Sequence, residues 1–161
     1  MEQLIPWLIF CAAFLLFSLV RPNGARTFIG IFFTVMALGV NALLSFMAPD
    51  VFVSIGTAEP LIPFYAWFFQ HVVAVAPPVV GLVAAAGEIT VGLLILSRGR
   101  RVKLGLISAI VFLLVITPLG VWTLPNPLMA AGLARLLTKE FPHALWDRWD
   151  RGPNRSPRQP R

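Results

Sequence analysis

The chain has 161 residues, 58% of them hydrophobic and 12% charged. A water-soluble domain of that length needs more polar surface, so composition excludes an ordinary soluble enzyme and favours a single membrane-embedded unit. The net charge of +6 would suit a nucleic-acid binder, but the basic residues fall in three clusters that flank hydrophobic runs. No basic residue stands between Arg26 and Arg98. Cations held in membrane loops explain that pattern better than a nucleic-acid surface.

The first apolar run is Leu4 to Val20. Glu2 precedes it and the basic residues follow it, which inverts a leader peptide and predicts a retained helix with its N-terminus outside. The second run is Thr27 to Met47, stopped by Ala48-Pro49-Asp50. Residues 50–76 are too apolar for a free loop. Pro63, Phe64, Tyr65, Trp67, Phe68 and Phe69 predict a short helix on or in the outer leaflet, or a lid over a cavity.

The third run is Pro77 to Leu96, with prolines in its first turn and Ser97-Arg98-Gly99 closing it. The fourth runs from Leu104 to about Trp122. Each of these four runs approaches the roughly 20 residues a span needs. Residues 122–138 are interrupted by Pro125 and Pro127 and allow either a short fifth span or an interfacial helix. Five crossings place every basic cluster on one side, so five are preferred and four are the alternative. On this drawing Trp7, Trp67 and Trp122 belong to an outer aromatic belt.

The expected fold is therefore an all-α, polytopic transmembrane helix bundle over residues 1–138, its core at 27–138. A basic cytoplasmic tail follows at 139–161. Phe141, Leu145 and Trp149 recur at helical spacing, which predicts an amphipathic helix on the headgroups. Beyond Gly152 the Pro- and Arg-rich sequence predicts disorder.

Glu88 is the one formal charge in the middle of a long hydrophobic run. A carboxylate there is costly unless it is protonated, paired or open to a cavity. Gly81, Ala85, Glu88 and Gly92 share its helix face. Gly30, Thr34, Ala37, Asn41 and Ser45 form a comparable stripe on the second run, and Gly105 and Ser108 extend it on the fourth. Counted at about 1.5 Å per residue from the cytoplasmic ends, Glu88 lies about 12 Å deep, Thr34 about 10 Å and Asn41 about 21 Å. Thr34 is then the expected direct partner of Glu88, with Asn41 reached through a relay. His71, near the outer interface, is a candidate for the same polar cluster.

The bland alternative is that Glu88 staples two helices together. The functional alternatives are a proton relay, acid–base chemistry or recognition of a polar headgroup. No zinc spacing, phosphate loop or nucleophile elbow occurs. The two histidines are expected on opposite sides, which excludes a shared haem. The single Cys11 excludes a dithiol mechanism. No metal and no cofactor is therefore expected.

From Thr27 to Leu137 the chain resembles the DoxX-like family of small bacterial integral membrane proteins. The resemblance lies in Gly39-Val-Asn41, Pro63-Phe-Tyr65 and Glu88 with the following Gly92-Leu-Leu-Ile-Leu-Ser-Arg-Gly-Arg100. Lys103-Leu-Gly-Leu106 and Pro118 to Asn126 complete it. It implies a four-helix membrane core, to which Leu4–Val20 adds an extra helix, in a cell membrane such as the bacterial inner membrane. It also implies proximity to redox complexes. Glu88 and Asn41 match pattern positions to which the family attaches no role.

Three functions compete. The first is an accessory or anchoring subunit with a membrane-protein partner or a second copy, favoured by the scarcity of catalytic groups. The second is an enzyme or binder holding a quinone- or lipid-like ligand around Glu88. The third is a small transporter or proton pathway. An enzyme is the less expected outcome.

Overall fold

The computed structural model describes residues 3–148. Among them the regular structure is all helical. Helix α1 spans Leu4–Val20 and α2 spans Pro22–Met47. Two short helices follow, α3 (Pro49–Thr57) and α4 (Pro63–Phe68), the latter continuing as a π-helical turn over Phe69–Val73. Then come α5 (Pro77–Leu96), α6 (Arg100–Ile116) and α7 (Asn126–Leu137).

Three helices are long and apolar enough to cross a bilayer: α2, α5 and the stretch Arg100–Leu119. At most a third of each apolar window is buried inside the bundle. Val20, Val79, Val83, Leu104 and Val111 all point outward. Apolar surface on that scale calls for an apolar solvent.

Proline starts most of these helices. It occupies the first turn of α2, α3, α4, α5 and α7, where its missing N–H has no helical partner to lose. Ala48 and Ala76 precede two of those prolines and share one bent backbone conformation, with φ near −150° and ψ near 70°. They bracket α3 and α4 as a separate unit between two breaks.

Helix α2 begins five residues earlier than the hydropathy predicts, because Pro22 serves as a first-turn residue. Arg26 therefore lies within the helix and is buried, not in an exposed loop. Between Ala37 and Leu44 the helix widens into a π-helix. Such segments are rare and concentrate at functional sites.

The stripes read from the sequence on α2 and α5 face each other. A Cβ on Gly92 would lie 2.7 Å from the Gly30 carbonyl oxygen and from Thr34 Oγ1. Gly81 packs in the same way against Ser45 and the Asn41 carbonyl. Glycine permits that backbone approach. Gly105 plays a similar part against Leu94 and Ile95 where α6 meets α5. Ser108 does not continue the stripe; it is exposed, because α6 turns Val102, Leu106, Ala109 and Leu113 inward instead.

Helix α7 is a member of the bundle. Met129, Leu133 and Leu136 are fully buried. It runs parallel to α1, with Trp7 bonded to Asn126 and Phe14 packed on Gly132 farther along. Its 12 residues reach only about 18 Å, short of a full hydrocarbon core.

The basic clusters gather at one end. The Arg26 guanidinium donates to the carbonyls of Ser97 (3.0 Å) and His143 (3.1 Å), and lies 4.8 Å above the centre of the Phe141 ring. The Gly99 N–H donates to Phe141 and the Leu145 N–H to Leu96. Gly99 has a positive φ of 61°, which suits the reversal between α5 and α6. Lys103 pairs with Glu140 at 2.7 Å.

These contacts revise the expected amphipathic tail helix. Residues 139–145 form no helix, and only Trp146–Arg148 make a short 3-10 turn. Pro142 breaks the periodicity, and the backbone groups of Phe141 and Leu145 bond to the α5–α6 turn. Trp149 and the Gly152–Arg161 stretch lie outside the described residues.

Candidate functional site

In the half of the bundle away from the basic end, the helices separate around a cavity of about 360 Å³. That lies within the usual range of small-molecule sites. Its floor is Glu88 on α5 and Asn41 on the π-helical part of α2. Phe33, Met36 and Phe112 form the sides. The α3–α4 unit closes another side with Phe52, Ile55, Tyr65, Phe68, Phe69 and Val73. Both π-helical segments among the described residues thus border the same space.

The α3–α4 unit is held in place at two points. The Tyr65 hydroxyl donates to the Val115 carbonyl, and the Leu61 N–H donates to the Pro118 carbonyl at 3.0 Å. Gly56 lets the Phe69 ring lie directly on α3, so the two short helices pack as one piece. Of the two roles the sequence allowed this segment, covering a cavity matches its position.

Asn41 Nδ2 donates to Glu88 Oε2 at 2.7 Å. This direct bond corrects the depth-based expectation. Thr34 turns its hydroxyl back to the Gly30 carbonyl at 3.1 Å, the usual way a helical threonine satisfies itself, and packs against Gly92. In the antiparallel register set by Gly30–Gly92 and Ser45–Gly81, Glu88 falls between the levels of Thr34 and Asn41. The longer amide side chain bridges the gap.

Glu88 is 6% exposed. Its Oε1 has no hydrogen bond to any described residue and is not fully buried, and Glu88 borders the cavity. Oε1 is thus open to the cavity. His71 stands apart: its ring stacks on Trp67, 5.3 Å between centroids, and Nδ1 lies 2.9 Å from the Trp67 carbonyl. It does not border the cavity.

Two tryptophans expected in an outer belt turn inward. Trp7 and Trp122 both line the cavity. Trp7 Nε1 donates to Asn126 Oδ1 at 2.8 Å, and Asn126 Nδ2 donates to the Leu113 carbonyl at 3.3 Å. Asn126 is fully buried and ties α1, α6 and α7 together at the cavity wall. Its signal in the sequence was an amide between two prolines at a helix start. Thr123 is likewise buried, its single hydroxyl proton within reach of the Thr117 and Gly120 carbonyls and its oxygen accepting from the Gly120 N–H.

No group of three or more His, Cys, Asp or Glu side chains among the described residues is placed to hold a metal ion. Cys11 is buried against α7. The arrangement supplies hydrogen bonding and apolar enclosure, and no nucleophile–base pair. No family model matches this chain, and neither does a curated protein or a solved structure.

Proposed function

We propose that this is a polytopic membrane protein that binds a bilayer-dissolved amphiphile, of the lipid or quinone kind, in the Glu88–Asn41 cavity. The single observation behind the reading is a part-open apolar cavity with one acid at its floor, one of whose carboxyl oxygens has no described protein partner. A pure staple would leave no such space, since interiors ordinarily pack to the density of organic crystals.

In this reading α1, α2, α5, α6 and α7 make five crossings, α7 with help from the turns at 117–123. The basic end faces the cytoplasm, the N-terminus is outside, and the cavity opens toward the outer leaflet. The parallel course of α1 and α7, and the meeting of Arg26 with the 97–99 turn and residues 141–145, support that sidedness. The DoxX-like assignment fits the same arrangement, with Glu88 and Asn41 as its shared positions.

The test is extraction of the full chain directly into lipid nanodiscs, followed by mass spectrometry of the bound small molecules. The wild type should carry a near-stoichiometric amphiphile. Ala84→Phe, which fills the cavity from α5, should lose it. Equal loading of both proteins overturns the reading.

An accessory or anchoring role is the second reading. Gly39 and Gly87 lie on outward surfaces with nothing within 4 Å of a built Cβ, and small residues on lipid-facing helices admit a partner helix. Co-purification of a stoichiometric membrane protein in mild detergent, lost on Gly87→Leu, would establish it.

A further inference from the structure

Glu88 faces a cavity whose walls offer it one neutral amide and no cation. The Lys and Arg residues whose side chains are described lie toward the basic end: Arg21, Arg26, the 98–103 segment, Arg135 and Lys139. Eight residues separate Glu88 from Leu96 at that end of α5, which is about 12 Å. His71 is turned to the Trp67 carbonyl outside the cavity. A carboxylate in hydrocarbon is costly until a proton or a positive group neutralises it. No described residue brings such a group to the site.

The rest of the wall is largely aromatic. Nine aromatic side chains border the cavity, among them Trp7, Phe33, Tyr65, Phe112 and Trp122. Ring faces are the negative pole of the aromatic quadrupole, and rings around a pocket favour organic cations. The polar atoms of Asn126 and Thr123 are engaged with protein partners. Tyr65 is engaged with Val115. Near the floor, Glu88 Oε1 and Asn41 Oδ1 are left, and both oxygens can accept. Trp122 Nε1 is an open donor, but it sits beside Gly120, past the end of α6.

We infer that the cavity selects an amphiphile whose polar end is an organic cation, such as a protonated amine, seated on Glu88 with its apolar body among the aromatic rings. The inference rests on the proposed ligand-binding role and decides within it, favouring lipophilic amines over quinones. An amine presents several N–H donors to two acceptors and its charge to the ring faces. A quinone presents carbonyl acceptors, which Glu88 could serve only in its protonated form.

The test compares three probes on the full chain in nanodiscs by isothermal titration: 4-phenylbutylamine, its alcohol isostere 4-phenylbutanol, and decylubiquinone. The amine should bind at least about tenfold more tightly than the alcohol, the scale of a desolvated cation–π and ion-pair contact. Glu88→Gln should erase that ratio by weakening amine binding at least about tenfold. If the alcohol or the quinone binds as tightly as the amine, and Ala84→Phe abolishes it, the ligand site stands and the charge preference falls. An amine preference that survives in Glu88→Gln also overturns it. Absence of saturable binding by all three probes to the wild type overturns both the inference and the ligand-site reading. The wild-type series decides even if Glu88→Gln fails to fold.

Discussion

The two halves of the bundle handle polarity in opposite ways. At the basic end, Arg26 is buried but shared among two carbonyls and a ring face, and residues 141–145 bond back to the α5–α6 turn. The largest fully buried residues, such as Ile29, Ile95, Leu106 and Leu136, pack there. In the other half, Glu88 keeps one oxygen open beside a space of about 360 Å³. The first half uses its buried charge to tie elements together. The second leaves a charge-bearing group incompletely satisfied where a molecule could meet it. A buried polar group therefore reads as structural or as ligand-directed according to how much of its bonding the protein already completes.

Substitutions can sharpen this contrast. The largest effect should come from Gly92→Leu, which forces α2 and α5 apart at the Gly30 carbonyl and Thr34; it should cost about 3 kcal/mol or more, measured by unfolding in mixed micelles. Arg26→Ala should follow, at about 2–3 kcal/mol, through loss of charged hydrogen bonds and the contact with Phe141. Arg26→Lys should recover only part of that, because an ammonium lacks the planar fork.

A matched pair probes the packing itself. Ala109 is fully buried in the core of α6, and Ala109→Leu should cost about 1–3 kcal/mol. Ala84→Leu adds the same atoms at the cavity wall and should be neutral or stabilising by up to about 1 kcal/mol. Equal destabilisation by the two would show that the space is not open as described. The smallest effect belongs to Lys103→Ala. Its pairing with exposed Glu140 should contribute no more than about 0.5 kcal/mol, and less in high salt.

Much of the candidate site was legible from spacing. The face Gly81, Ala85, Glu88 and Gly92 is buried as its period of three and four requires. The opposing stripe on α2 was also readable, because small residues mark close helix approach. Three features were not. Asn41 counts as too high because a uniform rise per residue ignores the π-helical widening of α2 at Ala37–Leu44, and because the amide side chain reaches the remaining distance. Trp7 and Trp122 were assigned to an interface by their depth, which says nothing of which way a ring turns. The tail's helical periodicity lost to Pro142 and to hydrogen bonds offered by a turn some 40 residues earlier in the chain.

The preference for an apolar solvent, the helical class and the segregation of charge are legible in the chain, since hydropathy, proline placement and basic clusters are properties of each segment alone. Which side chain meets Glu88, the role of Arg26 as a buried clasp, and the place of α3 and α4 beside a cavity emerge only from the packed bundle. Those depend on the register and rotation of one helix against another, which are set by packing among residues far apart in the chain and leave no local trace in it.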